Sequence, residues 1–244
     1  MNDLKIEAIE TSKTKVAISD YQKNHIIPKH PARMILSGSS GSGKSNLLIN
    51  LLTKEKFYKN YFHVIFLISP TAGKLDDSFI ALDKSKSKSK IHIINELNPE
   101  VIQNIMNKNK EIIEDKGVDK SPRLLLVYDD IISNVKFMNT KPFRHSFIAS
   151  RHYNASVIVC TQRYNSVPRV CRLQANAIFF FRGTNSEEQV LADEYTPPKY
   201  KKKEFLEIIA YATRTPYSFL FINEQADARK RYRENLGNIL ELVK

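Results

Sequence analysis

The chain has few cysteines and no long apolar runs, and both shortages exclude whole classes of protein. Its 244 residues hold two cysteines, Cys160 and Cys171, which are too few for a disulfide-stapled scaffold and fit a reducing compartment. The longest uninterrupted apolar run has five residues, whereas a membrane-spanning helix needs about 20. The first ten residues mix charged and apolar side chains and lack the apolar core of a secretory signal. The composition therefore predicts no membrane span, no signal peptide and no disulfide framework.

Acidic residues are absent from a long central stretch. The whole chain carries 38 Lys and Arg against 26 Asp and Glu, a formal net charge of +12. Between Ile131 and Ser186 there is no acidic residue. A long stretch with basic but no acidic residues indicates a polyanionic partner, although a solvated basic face is the simpler alternative. The basic residues of this stretch are Lys136, Lys141, Arg144, Arg151, Arg163, Arg169, Arg172 and Arg182.

The remaining composition is that of a globular protein. Hydrophobic residues make up 42% and charged residues 26% of the chain, which is enough apolar material for a core. The length predicts either one large domain or a domain with an appendage. We expect residues 1–30 to be an irregular lead-in with room for one edge strand, and residues 31–244 to be a single domain with a basic C-terminal segment. The repeat Lys84–Lys90 (KSKSKSK) predicts a mobile surface loop.

Short apolar, β-branched segments alternate with helical ones, which predicts an α/β fold with a mostly parallel sheet. Helices are expected to begin at Lys44, at Asn98 and at Ser186. The second should stop at Gly117, and the third opens with the capping-box form Ser-Glu-Glu-Gln. The predicted strands are Arg33–Ser37, His63–Ser69, Ile91–Asn95, Arg123–Asp129, Ser156–Gln162, Ala177–Arg182 and Tyr217–Asn223.

Three of the seven glycines fall in one eight-residue segment, Gly38–Ser45, which matches the phosphate-loop pattern G-x-x-x-x-G-K-[ST]. Glycines let the backbone wrap around phosphates with its N–H groups pointing inward, and the following helix adds positive potential. We expect Lys44 to contact the β and γ phosphates and Ser45 to bind Mg²⁺. The predicted nucleotide-binding residues are Gly38, Ser39, Ser40, Gly41, Ser42, Gly43, Lys44 and Ser45.

Two acidic residues follow the apolar segment Leu124–Tyr128. Adjacent carboxylates at the end of a buried strand are costly unless a cation or a proton transfer uses them. We assign Asp129 to Mg²⁺, through water, and Asp130 to polarising the attacking water. A later apolar segment, Val157–Gln162, also ends in polar residues. The Gln162 amide can sense the γ-phosphate and hold the water, although strands also end in this way without a chemical role.

These motifs, in this order, resemble the FtsK–HerA superfamily of DNA-pumping ATPases, and most closely its genome-packaging branch from large double-stranded DNA viruses and virophages. The resemblance covers about His30 to Asn223. Its most specific part is the segment SRHYNASVIVCTQ, in which basic residues lead into a strand that closes with Gln162. The resemblance implies a RecA-like P-loop NTPase fold and ATP hydrolysis, with Mg²⁺, coupled to the translocation of double-stranded DNA during packaging of a viral genome.

The resemblance also assigns roles to individual residues. Lys44 and Ser45 take the Walker A roles, Asp129 and Asp130 the Walker B roles, and Gln162 the sensor role. One departure concerns Asp130, because the wider superfamily usually has a longer Glu at that position.

Members of the superfamily work as rings in which an arginine of one subunit completes its neighbour's site. Arg151 matches the family's Arg-His segment and is our choice for this catalytic role, with Arg144, Arg163 and Arg169 as the other candidates. The resemblance implies further partners: sequence-independent double-stranded DNA, other copies of the chain, and a capsid or portal protein, with no membrane. It also implies a location in the host cytoplasm, at the viral factory, or in the virion.

Two other functions fit parts of the sequence. A nucleotide-switched DNA-binding or scaffold protein with slow hydrolysis would share the phosphate loop, but the acidic pair and Gln162 favour a motor. A small-molecule P-loop kinase usually needs an arginine-bearing lid rather than a long acid-free basic stretch. Two further basic clusters, Lys199–Lys203 and Arg229–Arg233, either grip backbone phosphates or form solvated helix ends.

Overall fold

The strands of the chain form one sheet. A computed structural model describes residues 26–70, 89–131 and 134–240. Within these residues the strands, β1 to β9 in chain order, are Arg33–Ser37, Val64–Ile68, Lys90–Ile94, Leu124–Asp129, Ala155–Thr161, Ala177–Phe181, Phe219–Asn223, Tyr232–Glu234 and Asn238–Ile239. Their order in the sheet is β3-β2-β4-β5-β1-β6-β7-β8-β9. The strands from β3 to β6 in this order are parallel, and the last three are antiparallel, so the predicted α/β class with a mostly parallel sheet is confirmed.

The parallel strands other than β3 are apolar segments with most of their residues buried, whereas β3, at the end of the sheet, is partly exposed. All seven residues of β5 are buried. In β4, Leu124 and Tyr128 contribute to one hydrophobic core, whereas Leu125 and Val127 contribute to the other, as the two-residue period of a strand requires. Most of these strands appear in the sequence as short apolar segments. The seven predicted strands therefore agree with β1 to β7 to within two residues at each end.

Helices cover both faces of the sheet. In the described chain the α-helices, α1 to α7, are Lys44–Thr53, Pro99–Lys116, Val135–Met138, Lys141–Ile148, Arg169–Arg172, Asn185–Tyr195 and Lys202–Ala212. Helix α1 packs on one face through Leu48 and Leu51. The other helices contribute to the core on the opposite face, for example through Ile102 of α2 and Phe143 of α4. The helix that follows the phosphate loop is thus alone among the described helices on its side of the sheet.

Helix caps confirm one predicted boundary and move another. The Asn98 side chain accepts a hydrogen bond from the N–H of Glu100 at the start of α2, and Gly117 ends that helix. The prediction that Ser186 opens a capping box is wrong. Thr184 is the N-cap of α6, and Glu187 completes the box. The two overlapping patterns differ in the residue at the third helical position, and the Glu187 carboxylate is a stronger acceptor than the amide that the Ser186 pattern would place there.

The last two strands of the antiparallel end, β8 and β9, were not predicted. The cluster Arg229–Arg233 divides into two parts: Arg229 and Lys230 end an exposed 3₁₀ turn, Ala228–Lys230, as the helix-end alternative expects, whereas Tyr232 and Arg233 are buried in β8. This charged segment lacks a strand-like pattern, and its conformation comes from pairing with β7. The other basic cluster leads into α7, with Lys201 at its N-cap.

The start of the chain is partly described. Ile27 is fully buried, and the His30 ring hydrogen-bonds to Asn154 and Ser156, so residues 26–30 pack against the sheet. Residues 1–25 and 84–88 lie outside the described residues, so the division at residue 30, the edge strand and most of the Lys84–Lys90 loop stay predictions. Lys90 itself begins β3. No helix in the described ranges is long and apolar enough to cross a bilayer.

Candidate active site

The segment Gly38–Ser45 forms a loop between β1 and α1, and its glycines have conformations that other residues rarely adopt. Gly41 has φ 73° and Gly43 has φ 102°, both in the left-handed region where a Cβ is disfavoured. At Gly38 a larger residue is excluded by lack of space, because a Cβ there would lie 2.5 Å from the Cβ of Phe181. The Gly38 N–H donates to the Thr161 carbonyl over 3.1 Å, which ties the loop to the end of β5.

Lys44 lies inside this loop. Its Nζ donates to the carbonyl oxygens of Gly38 over 2.6 Å and of Ser39 over 2.8 Å. Burial lowers the pKa of Lys44 from its ordinary value, and the nearby acidic groups, including Asp129 and Asp130, oppose that shift. The ammonium group is therefore held where the loop turns around it, facing the acidic pair.

Asp129 ends β4 and lies opposite Cys160 of β5 in the parallel register. The Cys160 thiol is buried and hydrogen-bonded to the Asp129 side chain; burial first, and Asp129 second, raise the pKa of Cys160 well above its ordinary value. The thiol thus stays protonated at neutral pH and acts as a donor that orients this carboxylate. Sequence reasoning missed Cys160, because only the strand register brings it beside Asp129.

Asp130 and Gln162, which are 32 residues apart, are directly hydrogen-bonded. The Gln162 Nε2 donates to the Asp130 Oδ1 over 3.2 Å. Asp130 has φ 51°, in the left-handed region that costs a non-glycine residue roughly 1–2 kcal/mol. This backbone turn directly follows the last residue of β4. The predicted water-polarising carboxylate and the predicted sensor amide therefore form one unit.

The loop and the ends of β4 and β5 enclose a cleft of about 330 Å³. They meet because β5 lies between β1 and β4 in the sheet, and parallel strands present their carboxyl ends at one edge. The Ser45 hydroxyl and the Asp129 carboxylate border this cleft, and such hard oxygen donors fit Mg²⁺. The predicted site residues that border it are Ser40, Gly41, Gly43, Lys44, Ser45, Asp129, Asp130 and Gln162. Ser39 and Ser42 border a neighbouring cleft of about 390 Å³, which Ser40 and Gly41 share.

A protein family described as poxvirus A32 protein matches residues 19–228 of the chain. The chain belongs to the poxvirus A32 protein family. Its relatives include the DNA packaging protein OPG160 of variola virus and of vaccinia virus (strain Western Reserve), each 30% identical over 181 residues. These matches cover 74% of this chain and 64% of the relatives, so the chain spans less than two thirds of their length. An uncharacterized protein, 075L of invertebrate iridescent virus 6, is 24% identical over 207 residues, which cover 84% of this chain and 75% of that protein.

Solved structures share the fold of this A32-family chain. B204, the DNA-packaging ATPase of Sulfolobus turreted icosahedral virus, superposes with a TM-score of 0.54 at 18% identity, over 79% of this chain and 92% of B204. EssC (ATPases 2 and 3) of Geobacillus thermodenitrificans superposes with a TM-score of 0.55 at 13% identity, over 80% of this chain and 38% of EssC. The likeness at this identity is one of fold, and it agrees with the predicted P-loop ATPase architecture.

Arg151 does not reach the cleft of its own A32-family chain. It is exposed in a short 3₁₀ turn, Ser150–Tyr153, directly before β5, whereas Gln162 directly follows β5. At about 3.3 Å per residue, the strand separates the two side chains by roughly 20 Å, at opposite edges of the sheet. A position remote from its own site is compatible with a residue that acts on a neighbouring subunit, and this role stays a prediction.

The three other candidate arginines lie elsewhere. Arg163 follows Gln162 directly and is exposed at the carboxyl edge of the sheet. Arg144 lies in α4 and donates to the Asn139 side chain, and Arg169 begins α5. Among the described residues, no ion pair joins any of the three to an acidic side chain.

A buried polar network holds the segment that follows Gln162. The Glu187 carboxylate accepts hydrogen bonds from the backbone N–H of Tyr164 over 2.9 Å and of Thr184 over 2.8 Å. The Arg172 guanidinium, counted above in the basic stretch, pairs with Glu194 at 2.7 Å and is nearly buried. Arg172 is therefore a structural residue and not part of a phosphate-binding surface. Its partner Glu194 lies 22 positions downstream, beyond the end of the acid-free stretch at Ser186.

Proposed function

We propose that this chain is an ATPase that drives double-stranded DNA into a viral capsid. The observation that carries the proposal is the cleft in which the phosphate loop faces the hydrogen-bonded pair of Asp130 and Gln162. A protein that only binds nucleotide needs the loop, whereas hydrolysis also needs groups that hold and activate a water molecule. Membership of the A32 family and the relatives named as DNA packaging proteins support the choice of DNA as the cargo.

The proposed chemistry uses six side chains of the cleft. The loop backbone and Lys44 hold the triphosphate and stabilise the charge that grows on the γ-phosphate. Ser45 and Asp129 would hold Mg²⁺, which supplies further charge neutralisation when bound. Asp130 accepts the proton of the attacking water, and Gln162 orients Asp130 through its amide N–H. The buried Cys160 thiol keeps the Asp129 carboxylate aligned.

The proposed DNA contact is electrostatic. The basic side chains Lys136, Lys141, Arg151, Arg163, Arg169 and Arg182 are exposed. Exposed cations of this kind bind phosphates without reading the base sequence. We further propose that copies of the chain form a ring, that Arg151 completes the neighbour's site, and that a capsid or portal protein receives the DNA. The host cytoplasm, at the viral factory, is the proposed place of action.

An ATPase assay on size-separated monomer and oligomer, with and without long duplex DNA, tests the proposal. We expect turnover in the oligomer and stimulation by the duplex. A nucleotide-switched binding protein would instead hydrolyse slowly in both fractions and would ignore DNA. Phosphate transfer to a small-molecule acceptor, in place of release of free phosphate, would identify a kinase and reject both hypotheses.

A further inference from the structure

Tyr217 has an unusual combination of exposure and backbone strain. Its side chain is 72% exposed, and its φ is 65°, in the region that a bulky L-residue adopts only at a cost of about 1–3 kcal/mol. In the part of the chain that the structure describes, the ring stacks on no aromatic or cationic group and the hydroxyl makes no hydrogen bond. No structural contact of the side chain explains this conformation, and strain of this kind concentrates at ligand-binding sites.

The strained conformation places the Tyr217 ring beside the phosphate loop. A Cβ added to Gly43 would lie 3.4 Å from the Tyr217 Cδ1. Tyr217 precedes β7, which pairs with β6, and β6 is the neighbour of β1 on the side away from β5. The Asp130–Gln162 pair lies on the β5 side. A nucleotide whose γ-phosphate meets that pair therefore has room for its other end on the side of Tyr217.

A second feature of this side is a cleft of about 540 Å³ that runs along α1 from Gly43. Its size lies within the usual range of small-molecule sites, about 300–1,000 Å³. Phe181 and Phe219 line it together with Tyr217, and the amides of Asn46 and Asn50 border it as well. Aromatic rings bind the flat face of a base, whereas amides bind its polar edge.

We propose that this cleft binds the purine base of the nucleotide, which stacks on the Tyr217 ring. The inference rests on the proposed ATP binding and adds the subsite for the base. The aromatic walls supply the stacking surface, and the amides of Asn46 and Asn50 lie within the same cleft for hydrogen bonds to the base edge. The cost of the left-handed backbone at Tyr217 is offset when the ring gains the base as a stacking partner.

Calorimetric titration with ATP and with inorganic triphosphate, both with Mg²⁺, tests the inference on the full chain. Tyr217→Asn removes the ring while keeping a residue that tolerates a positive φ. We expect this variant to bind ATP about ten- to a hundredfold more weakly, by the usual cost of losing one base–aromatic stack, and to bind triphosphate as the wild type does. Tyr217→Phe should keep the wild-type affinity for ATP. The matched control is Tyr211→Asn, which changes an exposed tyrosine that borders none of these clefts and should change neither affinity.

Three results would overturn the inference. Unchanged ATP affinity in Tyr217→Asn would mean that the base binds elsewhere. An equal loss for ATP and triphosphate would mean that Tyr217 shapes the phosphate loop. Wild-type affinity for triphosphate as high as for ATP would mean that no base subsite exists. If the wild type bound neither ligand, the proposed ATP binding itself would fail, which is a different result from these three.

Discussion

The residue on which the proposed chemistry most depends is Asp130. Its carboxylate accepts a hydrogen bond from the Gln162 amide, and its left-handed backbone turns it away from the direction of β4. The wider superfamily that the sequence resembles usually has the longer Glu at this position. Here the contact with Gln162 positions the shorter carboxylate, and we propose that the pair acts as one water-binding group.

Asp130→Asn tests that role. Asparagine keeps an oxygen that can accept the Gln162 amide N–H but is not a base, so the geometry is retained while proton acceptance is lost. We expect ATP affinity to stay within about threefold of wild type, and turnover to fall by about 10²- to 10⁴-fold. Direct ATP titration and steady-state phosphate release measure the two quantities.

Asp130→Glu is the control, because it restores a carboxylate of the length common in the wider superfamily. It should keep measurable turnover. If Asp130→Asn retained most of the wild-type rate, the water-polarising role would belong to another group.

At the scale of elements, the central strand β5 joins two opposite ends of the domain. Its carboxyl end carries Gln162 into the cleft. Its amino end is held by His30, whose Nε2 lies 2.7 Å from the Asn154 Oδ1 and whose Nδ1 lies 2.7 Å from the Ser156 Oγ. The Ser156 Oγ also accepts a hydrogen bond from the Ala32 N–H. These contacts fix residues 26–32 to β5, the strand that positions Gln162.

The His30 contact predicts a pH dependence of stability. Burial, the largest cause, lowers the pKa of His30 from 6.5 to about 4. Folded His30 thus stays neutral down to about pH 4, whereas the unfolded chain takes up this proton near pH 6.5. Stability is lost as the pH falls through this window, by up to roughly 3 kcal/mol from this group.

Urea unfolding at several pH values, for wild type and His30→Gln, isolates that contribution. Glutamine does not titrate, so the variant should lose less free energy of unfolding between pH 6.5 and pH 4 than wild type. Equal losses in the two proteins would show that His30 is protonated in the folded state or that other groups carry the whole effect.

For the whole molecule, the cleft and Arg151 lie at opposite edges of the sheet. A subunit that contributes its arginine at one edge and its phosphate loop at the other needs a second subunit to build a complete site. Hydrolysis would then depend on assembly, and a guanidinium supplied between subunits would stabilise charge on the γ-phosphate only where they meet.

A mixing experiment tests Arg151 in this role. Arg151→Ala should bind ATP almost normally but hydrolyse it poorly, and Lys44→Ala should not hydrolyse it. Mixed oligomers should regain part of the turnover, because the Lys44 of one subunit meets the Arg151 of the other. His152→Ala, which changes the adjacent exposed residue, should keep wild-type turnover. If the two inactive variants co-assemble and no turnover returns, Arg151 does not act on the neighbouring subunit's site. Arg144, Arg163 and Arg169 are then the next residues to test.

The charge of the molecule predicts how it binds DNA. With a net charge of +12 and contacts to phosphates alone, the logarithm of the binding constant should fall linearly with the logarithm of salt concentration, by about 0.9 per phosphate contacted. Two unrelated duplexes should bind within about tenfold of each other at fixed salt. Fluorescence anisotropy with competitor duplexes measures both. A larger preference for one duplex would indicate contacts to the bases.

The sequence by itself determined strands β1 to β7, three of the seven described α-helices (α1, α2 and α6) and the motifs that occupy contiguous segments. The strands β1 to β7 were visible because each is a short, mostly apolar segment, and the phosphate loop because its glycines, Lys44 and Ser45 stand at fixed spacing. Asp129 and Gln162 were visible because each follows such a strand. Strand β8 was not, since its charged residues become a strand through pairing with β7.

Only the tertiary structure decided which residues of these segments contact one another. The insertion of β5 between β1 and β4 brings Gln162 to Asp130 and Cys160 to Asp129, and no spacing in the chain encodes either contact. The same holds for the pairing of Arg172 with Glu194 and for the position of Tyr217 beside Gly43. The physical reason is that an apolar strand carries the information that it is buried, whereas its neighbours in the sheet are selected by the packing of the whole domain.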